Sequence, residues 1–288
     1  MNTVPLQRFA LLGAITIGAG LSPVWSTPAT AFAQDGSSPF VPTTSAATPP
    51  ATAPPNDAMP SVDTVMNQMD DLYRSTSSRS EMSMEINTEN WSRTLEMESW
   101  SQGEDTALIV IRSPAREAGT ATLKTDEGLW NYAPRADRLM RIPSGMMSDG
   151  WMGSHFTNDD LVRESSWQDD YETTLAWGEH DGDRVLLTTS VTRPDAAVVY
   201  TRIVMTMQDQ TWLPMRADYY DDDDVVRTMT WTNIREFDGR QVPSVMTIVP
   251  TDHPNEFTRV TYDDLEFNIT IDNDLFTQRG LRRAAQTR

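Results

Sequence analysis

The feature that most constrains the fold is an alternation of apolar and polar residues that starts near residue 82 and recurs almost to the end of the chain. Met82, Met84 and Ile86, for example, alternate with Ser83 and Glu85. A side-chain period of two is typical of strands that bury one face. The pattern therefore predicts a mainly β protein with a few helices.

Turn residues separate the predicted strands. Acidic or amide residues, most followed by glycine, lie at 126–128, 181–183, 209–210 and 238–239, and such groups are typical of tight hairpin turns. Many strands joined by tight turns predict an antiparallel meander, curled or closed. The predicted strands cover residues 82–86, 95–98, 107–111, 120–125, 128–133, 138–142, 184–191, 198–207, 215–219, 225–234, 242–249, 257–262 and 265–269.

Three segments have a helical rather than a strand-like pattern. Ser61 begins an amphipathic helix that we expect to end near Ser75. The irregular segment 144–163, rich in Gly and Met, should open a short helix capped by Thr157 or Asn158. Residues 272–283 predict a last short helix. Helices inserted into a meander must pack on a sheet face, and we expect the concave face.

The amino-terminal residues have the composition of an export signal followed by a linker. Residues 1–33 combine Arg8, a short apolar run and the sequence Ala-Phe-Ala, which is typical of a cleaved signal peptide. Residues 34–60 are rich in Pro, Ala and Thr and predict a disordered linker. The domain is then expected to cover residues 61–288. No later segment reaches the length of a membrane span, so we expect a soluble periplasmic protein.

Composition excludes several classes of function. The chain contains no cysteine, which excludes disulfides, thiolate metal sites and an N-terminal lipid anchor. The formal charge is −19, and a surface this acidic repels phosphate backbones, so no nucleic-acid partner is expected.

The sequence offers no convincing catalytic or metal site. His155, His180 and His253 are far apart and belong to no paired ligand motif. The acidic run 221–224 is typical of a solvated loop rather than a calcium site. We therefore expect no metal, no cofactor and no enzymatic activity.

Five stretches, taken in order, resemble the outer-membrane lipoprotein-sorting (LolA-like) family, in its broader uncharacterised branch. In chain order they are Ile111–Pro114, Asp126–Pro134 with the charged segment after it, Gly153–Leu161, Thr211–Tyr219, and the hairpin strands Val225–Ile234 and Gly239–Ile248. The resemblance implies an incomplete antiparallel β-barrel with a helical lid on the concave face, and acyl chains held between sheet and lid. It also implies a basic residue before the strand-end proline; Arg112 is the nearest match, with Arg116 as the alternative.

The resemblance and the high methionine content together suggest a function and a set of site residues. The expected function is that of a periplasmic carrier that binds a lipid or lipid-modified protein and delivers it toward the outer membrane. The expected partners are an inner-membrane exporter or an outer-membrane acceptor. The alternative is a lipid-responsive sensor or accessory module that binds an envelope protein. Methionine suits surfaces that repack around variable apolar ligands. The predicted cavity residues, with Arg112 as lid or headgroup contact, are Leu95, Met97, Ile109, Arg112, Trp130, Tyr132, Met146, Met147, Trp151, Phe156, Met205, Met207, Met229 and Trp231.

Overall fold

A computed structural model describes residues 58–103, 105–163, 170–194, 196 and 198–287. The predicted signal peptide and almost all of the predicted linker lie outside these residues. Three α-helices lie within them: α1 at Val62–Asp71, α2 at Asn158–Arg163 and α3 at Gln278–Gln286. Short 3-10 helices add turns at Pro134–Ala136, Ser144–Met146, Trp151–Gly153 and Asn273–Phe276.

Thirteen strands of the described residues form one antiparallel sheet, in the order β6-β5-β4-β3-β2-β1-β13-β12-β11-β10-β9-β8-β7. The order is that of two meanders joined through β1 and β13, with β6 and β7 at the edges. The predicted fold class is therefore confirmed, and the barrel is incomplete. The strands are β1 Ser77–Asn87, β2 Ser92–Gln102, β3 Thr106–Ser113, β4 Ala121–Thr125, β5 Gly128–Ala133, β6 Arg138–Arg141, β7 Tyr171–His180, β8 Asp183–Thr192, β9 Arg202–Gln208, β10 Pro214–Asp221, β11 Asp224–Phe237, β12 Arg240–Pro250 and β13 Phe257–Phe267.

The sheet bends strongly, so that strands far apart in the sheet order face each other. Met97 on β2 and Met205 on β9 line the same cavity, although their strands lie six positions apart in the sheet order. At about 4.8 Å between neighbouring strands, a flat sheet would hold these two strands roughly 29 Å apart. The two halves of the sheet therefore face each other across a concave side.

Helix α1 begins where the sequence predicts. The Ser61 hydroxyl accepts a hydrogen bond from the backbone N–H of Thr64 at 3.1 Å, which caps the first turn. The helix ends at Asp71, one turn before the predicted end near Ser75. Its apolar face carries Val65, which is fully buried, into the core beneath β7 to β12. Helix α1 thus closes one side of the concave face.

The irregular segment 144–163 also lies over the concave face. Its helix α2 starts with a reciprocal cap, because the Thr157 hydroxyl accepts from the Asp160 N–H at 3.1 Å and the Asp160 carboxylate accepts from the Thr157 N–H at 2.7 Å. Of the two predicted caps, Thr157 is the one used. Phe156 packs against the apolar clusters of both sheet halves. We call this segment, residues 144–163, the lid.

Helix α3 lies on the opposite face, which corrects the expectation that every helix packs on the concave side. Its residues Leu281, Ala284 and Ala285 pack against Leu108 and Val110 of β3. Because side chains alternate along a strand, these β3 residues point away from Ile109, which faces the cavity. Polar residues surround the small apolar face of α3, which suits a helix on the outer surface.

Several strands extend beyond their predicted bounds, as β1 does by starting at Ser77 rather than Met82, and β7, β9 and β13 differ in other ways. Strand β7 was not predicted, although Tyr171, Thr173 and Leu175 show the strand period beside the 181–183 turn. Strand β9 starts at Arg202 rather than Val198. The two predicted strands at 257–262 and 265–269 are one strand, because a bulge at Asp263 absorbs the acidic pair that interrupts the pattern.

Candidate functional site: a lidded cavity

The concave side of the sheet encloses a cavity of about 290 Å³ between α1, the lid and nine strands of the described sheet. This volume lies near the lower end of the range for small-molecule sites, roughly 300–1,000 Å³. Seven methionines, which carry flexible and polarizable side chains, contribute to its wall. These are Met66 and Met69 of α1 together with Met82, Met97, Met205, Met229 and Met246 of the sheet.

Trp151 anchors the first half of the lid to the sheet. Its side chain is 4% exposed, and its indole N–H donates to the Thr122 hydroxyl of β4 at 3.0 Å. The Trp151 backbone N–H donates to the Phe156 carbonyl at 2.7 Å, which closes the turn between them. Trp151 and Phe156 thus present two large apolar side chains to the cavity from the lid.

Arg227 anchors the second half of the lid. Its guanidinium forms two parallel hydrogen bonds, of 2.6 and 2.8 Å, with the Asp160 carboxylate of α2. A third hydrogen bond, of 3.1 Å, reaches the His155 carbonyl. The guanidinium carbon lies 4.4 Å from the centre of the Tyr200 ring and 4.1 Å from that of Tyr219, so two aromatic rings cover the charge.

Burial and charge act in opposite directions on this cluster. Burial alone lowers the pKa of Arg227, but the Asp160 charge and its hydrogen bonds outweigh burial, so the pKa lies above its ordinary value. Burial raises the pKa of Tyr200, although the Arg227 charge opposes that rise. At physiological pH, Arg227 therefore stays charged and Tyr200 stays neutral.

A second polar attachment lies at the tip of the lid. The His155 ring nitrogen Nδ1 lies 2.8 Å from the Thr258 hydroxyl, and Nε2 lies 3.4 Å from the Glu256 carboxylate. Glu256 also accepts a 2.7 Å hydrogen bond from the Glu89 N–H. This backbone hydrogen bond, assisted by His155, lowers the pKa of Glu256.

Seven of the fourteen predicted site residues line the cavity, and they come from both halves of the sheet and from the lid. They are Met97, Ile109, Trp151, Phe156, Met205, Met229 and Trp231.

The other seven predicted residues lie elsewhere in the domain. Leu95 and Met207 are fully buried and packed by other side chains, while Met146 is 45% exposed and Met147 is half-buried at the start of the lid. The remaining three, Arg112, Trp130 and Tyr132, lie on the outer face with α3.

Arg112 therefore contacts a different helix from the one expected. Its guanidinium donates to the carbonyls of Ala284 at 2.9 Å and Thr287 at 2.7 Å, at the carboxyl end of α3. Glu98 holds the same guanidinium through hydrogen bonds of 2.7 and 3.0 Å. A cation at a helix carboxyl terminus satisfies carbonyls that lack an intrahelical partner. Arg112 thus fixes α3, on the side of the sheet away from the cavity.

Sequence reasoning missed two groups of cavity residues. One is a set of tyrosines, of which Tyr73 and Tyr262 stack with ring centres 4.9 Å apart. The other is a set of serines on β1 and β2. Their signal was present in the strand period, because Ser78 and Ser80 share a face with Met82 and Met84. Within the described residues, no group of three or more His, Asp or Glu side chains is placed to hold a metal ion.

The curled sheet, the lid and the cavity between them define the LolA-like fold, and solved structures agree. A putative outer membrane lipoprotein-sorting protein domain from Vibrio parahaemolyticus is 22% identical with a TM-score of 0.64, covering 76% of this chain and 97% of that one. A DUF1329 family protein from Desulfovibrio piger is 24% identical with a TM-score of 0.68, and the match covers 76% of this chain and 96% of that one. A LolA superfamily protein from Nitrosomonas europaea is 16% identical with a TM-score of 0.65, and the match covers 77% of this chain and 100% of that one. The resemblance seen in the sequence is confirmed at the level of the fold.

A family model described as "Uncharacterized protein" matches residues 103–283, which is more than half of the chain. The chain belongs to that family. No curated protein matches it significantly. None of the helices in the described part of the chain has the length and apolar character needed to cross a bilayer.

Proposed function

We propose that this protein is a periplasmic carrier that encloses an acyl chain of a lipid or lipid-modified protein and delivers it toward the outer membrane. The observation that carries the proposal is the cavity, which methionines line and a separately attached lid covers. The proposed role is binding rather than catalysis. The predicted signal peptide supports export, and an exporter in the inner membrane and an acceptor at the outer membrane are the proposed partners.

Energetics agree with a carrier that both binds and releases. Burial of one methylene contributes about 0.8 kcal/mol, so a fourteen-carbon chain represents on the order of 10 kcal/mol before costs. The cavity volume in the closed form fits a small part of such a ligand, so loading requires the lid to move. Breaking the Arg227–Asp160 pair during opening offsets part of the binding energy and allows release.

The first test is whether purified protein carries or takes up an apolar ligand. Native mass spectrometry of the protein from cells should show additional mass that lipid extraction removes. Extracted protein should then bind N-phenylnaphthylamine, an uncharged dye that fluoresces in apolar surroundings. Met205→Trp, which fills the cavity, should abolish dye binding, whereas the matched control Met140→Trp on an exposed position of β6 should not.

A clear result would contradict the proposal. Protein that is isolated empty, and that binds neither the dye nor any lipid offered, has no carrier function. Equal dye binding by Met205→Trp and the parent protein would place the dye outside the cavity.

A further inference from the structure

Four serines form a polar patch in the wall of the cavity. They lie opposite each other on β1 and β2, where Ser78 faces Ser101 and Ser80 faces Ser99. The hydroxyl oxygens are 2.8 Å apart in the first pair and 2.7 Å apart in the second. Ser78, Ser80 and Ser101 are between 3% and 8% exposed, so the patch is shielded from bulk water. All four residues line the cavity.

Not every hydroxyl hydrogen of this patch has an acceptor among the described side chains. A serine hydroxyl has one hydrogen to donate, and a pair of hydroxyls uses only one of its two hydrogens between the two oxygens. No other side-chain partner of these four hydroxyls occurs among the described residues. Each pair therefore offers one spare donor, and the patch offers two.

An independent observation at the same cavity also indicates a missing acceptor. Trp231 lines the cavity and is 9% exposed, and its indole nitrogen has no hydrogen-bond partner within the described residues. Indole N–H is a donor only. A buried donor without an acceptor costs stability, so a ligand that supplied oxygen acceptors would bind more tightly than a pure hydrocarbon.

The charges of the wall restrict the chemistry of that acceptor. Among the described residues that line the cavity, Asp70, Asp159 and Asp160 are acidic, whereas Arg74 is basic and lies against Asp70 at 3.3 Å. Arg227 in turn binds Asp160, so a carboxylate or phosphate placed here would meet three carboxylates and two arginines, each arginine already bound to an aspartate. The spare donors therefore suit uncharged oxygens, such as ester or amide carbonyls.

We propose that the cavity is selective for uncharged acyl esters or amides, and that Ser78, Ser80, Ser99 and Ser101 receive the carbonyl oxygens while the methionines hold the chain. This inference rests on the proposed function and specifies its substrate class. It predicts that a free fatty acid in its ionised form is a poor ligand, although its chain is the same. Both a free glyceride and the diacylglyceryl group of a lipidated polypeptide carry this chemistry.

The test compares ligands that share one chain and differ in the polar group. Extracted full-length protein is saturated with N-phenylnaphthylamine at about pH 8, and 1-oleoylglycerol, oleate and the ether analogue 1-oleylglycerol compete for it. We expect the ester to displace the dye about tenfold more effectively than either of the others, the gain of one or two hydrogen bonds. A synthetic peptide with a diacylglyceryl cysteine forms a further arm, and the tighter of the two ester ligands identifies the natural source.

Variants then locate the selectivity. Ser80→Ala with Ser99→Ala should lower the affinity for 1-oleoylglycerol about tenfold and leave the affinity for the dye within about twofold. The matched control is Thr173→Val with Ser190→Ala, a similar cross-strand hydroxyl pair 2.8 Å apart on β7 and β8 that does not line the cavity. This control should keep the preference for the ester.

The outcomes separate the two proposals. If ester, ether and oleate compete equally, or if the serine variant keeps the preference, the inference is overturned while the carrier function stands. If no ligand and no dye binds, the carrier function itself fails. The comparison of ester with ether needs no variant, so it decides the matter even if the serine variant does not fold.

Discussion

Arg227 of β11 and Asp160 of α2 are 67 residues apart in the chain, yet their side chains meet in two parallel hydrogen bonds of 2.6 and 2.8 Å. Asp160 also caps its own helix, so one carboxylate both starts α2 and attaches it to the sheet. The Arg227 side chain is 5% exposed and that of Asp160 is 19% exposed. The lid is thus held by an ion pair at its protected inner side, where water competes weakly.

Removing the arginine should loosen the lid. Arg227→Met leaves the Asp160 charge partly buried without its partner, which costs about 3 kcal/mol for buried pairs. Urea denaturation should show this loss, and limited proteolysis should cut residues 144–163 faster. The exposed pair of Arg259 and Glu85, at 3.1 Å, supplies the control Arg259→Met, which should change stability by about 1 kcal/mol or less. Equal losses in the two variants would contradict the role assigned to Arg227.

Two tryptophans should report on cavity occupancy. Trp151 and Trp231 line the cavity from the lid and β11, so a lipid with a brominated acyl chain should quench their fluorescence. Trp100 is the third tryptophan of the described cavity lining, and it also packs against the α3 cluster on the outer face. The double variant Trp151→Phe, Trp231→Phe should lose most of this quenching. Trp177→Phe is the control, because Trp177 packs under Arg184 at 4.3 Å and lies outside the cavity. Quenching that survives in the double variant and disappears in the control would place the lipid elsewhere.

Glu256 should contribute a stability that depends on acid pH. Its pKa in the folded protein is lowered from the ordinary value of 4.5, so its contribution is present above that value and is lost as pH falls through the lower folded pKa. We expect thermal unfolding temperature to fall more steeply below pH 4.5 in the parent protein than in Glu256→Gln. Glu236→Gln, at an exposed position of β11, should follow the parent curve. A parallel fall in all three proteins would contradict the prediction.

Arg112 should stabilise the domain without taking part in ligand binding. Its hydrogen bonds to the Ala284 and Thr287 carbonyls hold the end of α3, and a charged hydrogen bond contributes about 2 kcal/mol. Arg112→Gln should therefore lower the free energy of unfolding by about that amount. Dye binding by the folded variant should equal that of the parent. A selective loss of binding with unchanged stability would return Arg112 to the ligand contact first expected.

The local features of the fold could be predicted from neighbouring residues. Strand period, turn residues and the caps Ser61 and Thr157 act over a few positions, and each is visible in the sequence. Strand β7 is also visible in the sequence, as the strand period of Tyr171, Thr173 and Leu175, although it is absent from the predicted strands. The bulge at Asp263 could not be seen, because only pairing with β1 shows that the acidic pair interrupts one strand rather than separating two.

The site depended on contacts that no local pattern records. The strand period predicts that Met97 and Met207 each lie on the apolar face of a strand. Only the curvature of the sheet decides that Met97 lines the cavity while Met207 is covered by neighbouring side chains. The strand period also does not indicate which face of the sheet α3 covers. The contact of Arg112 with α3 rather than with the lid therefore could not be predicted. The sequence by itself determined an antiparallel β domain with methionine-rich faces. The tertiary structure alone decided the cavity, its serine patch and the Arg227–Asp160 attachment, because residues distant in the chain meet there only when the sheet closes on itself.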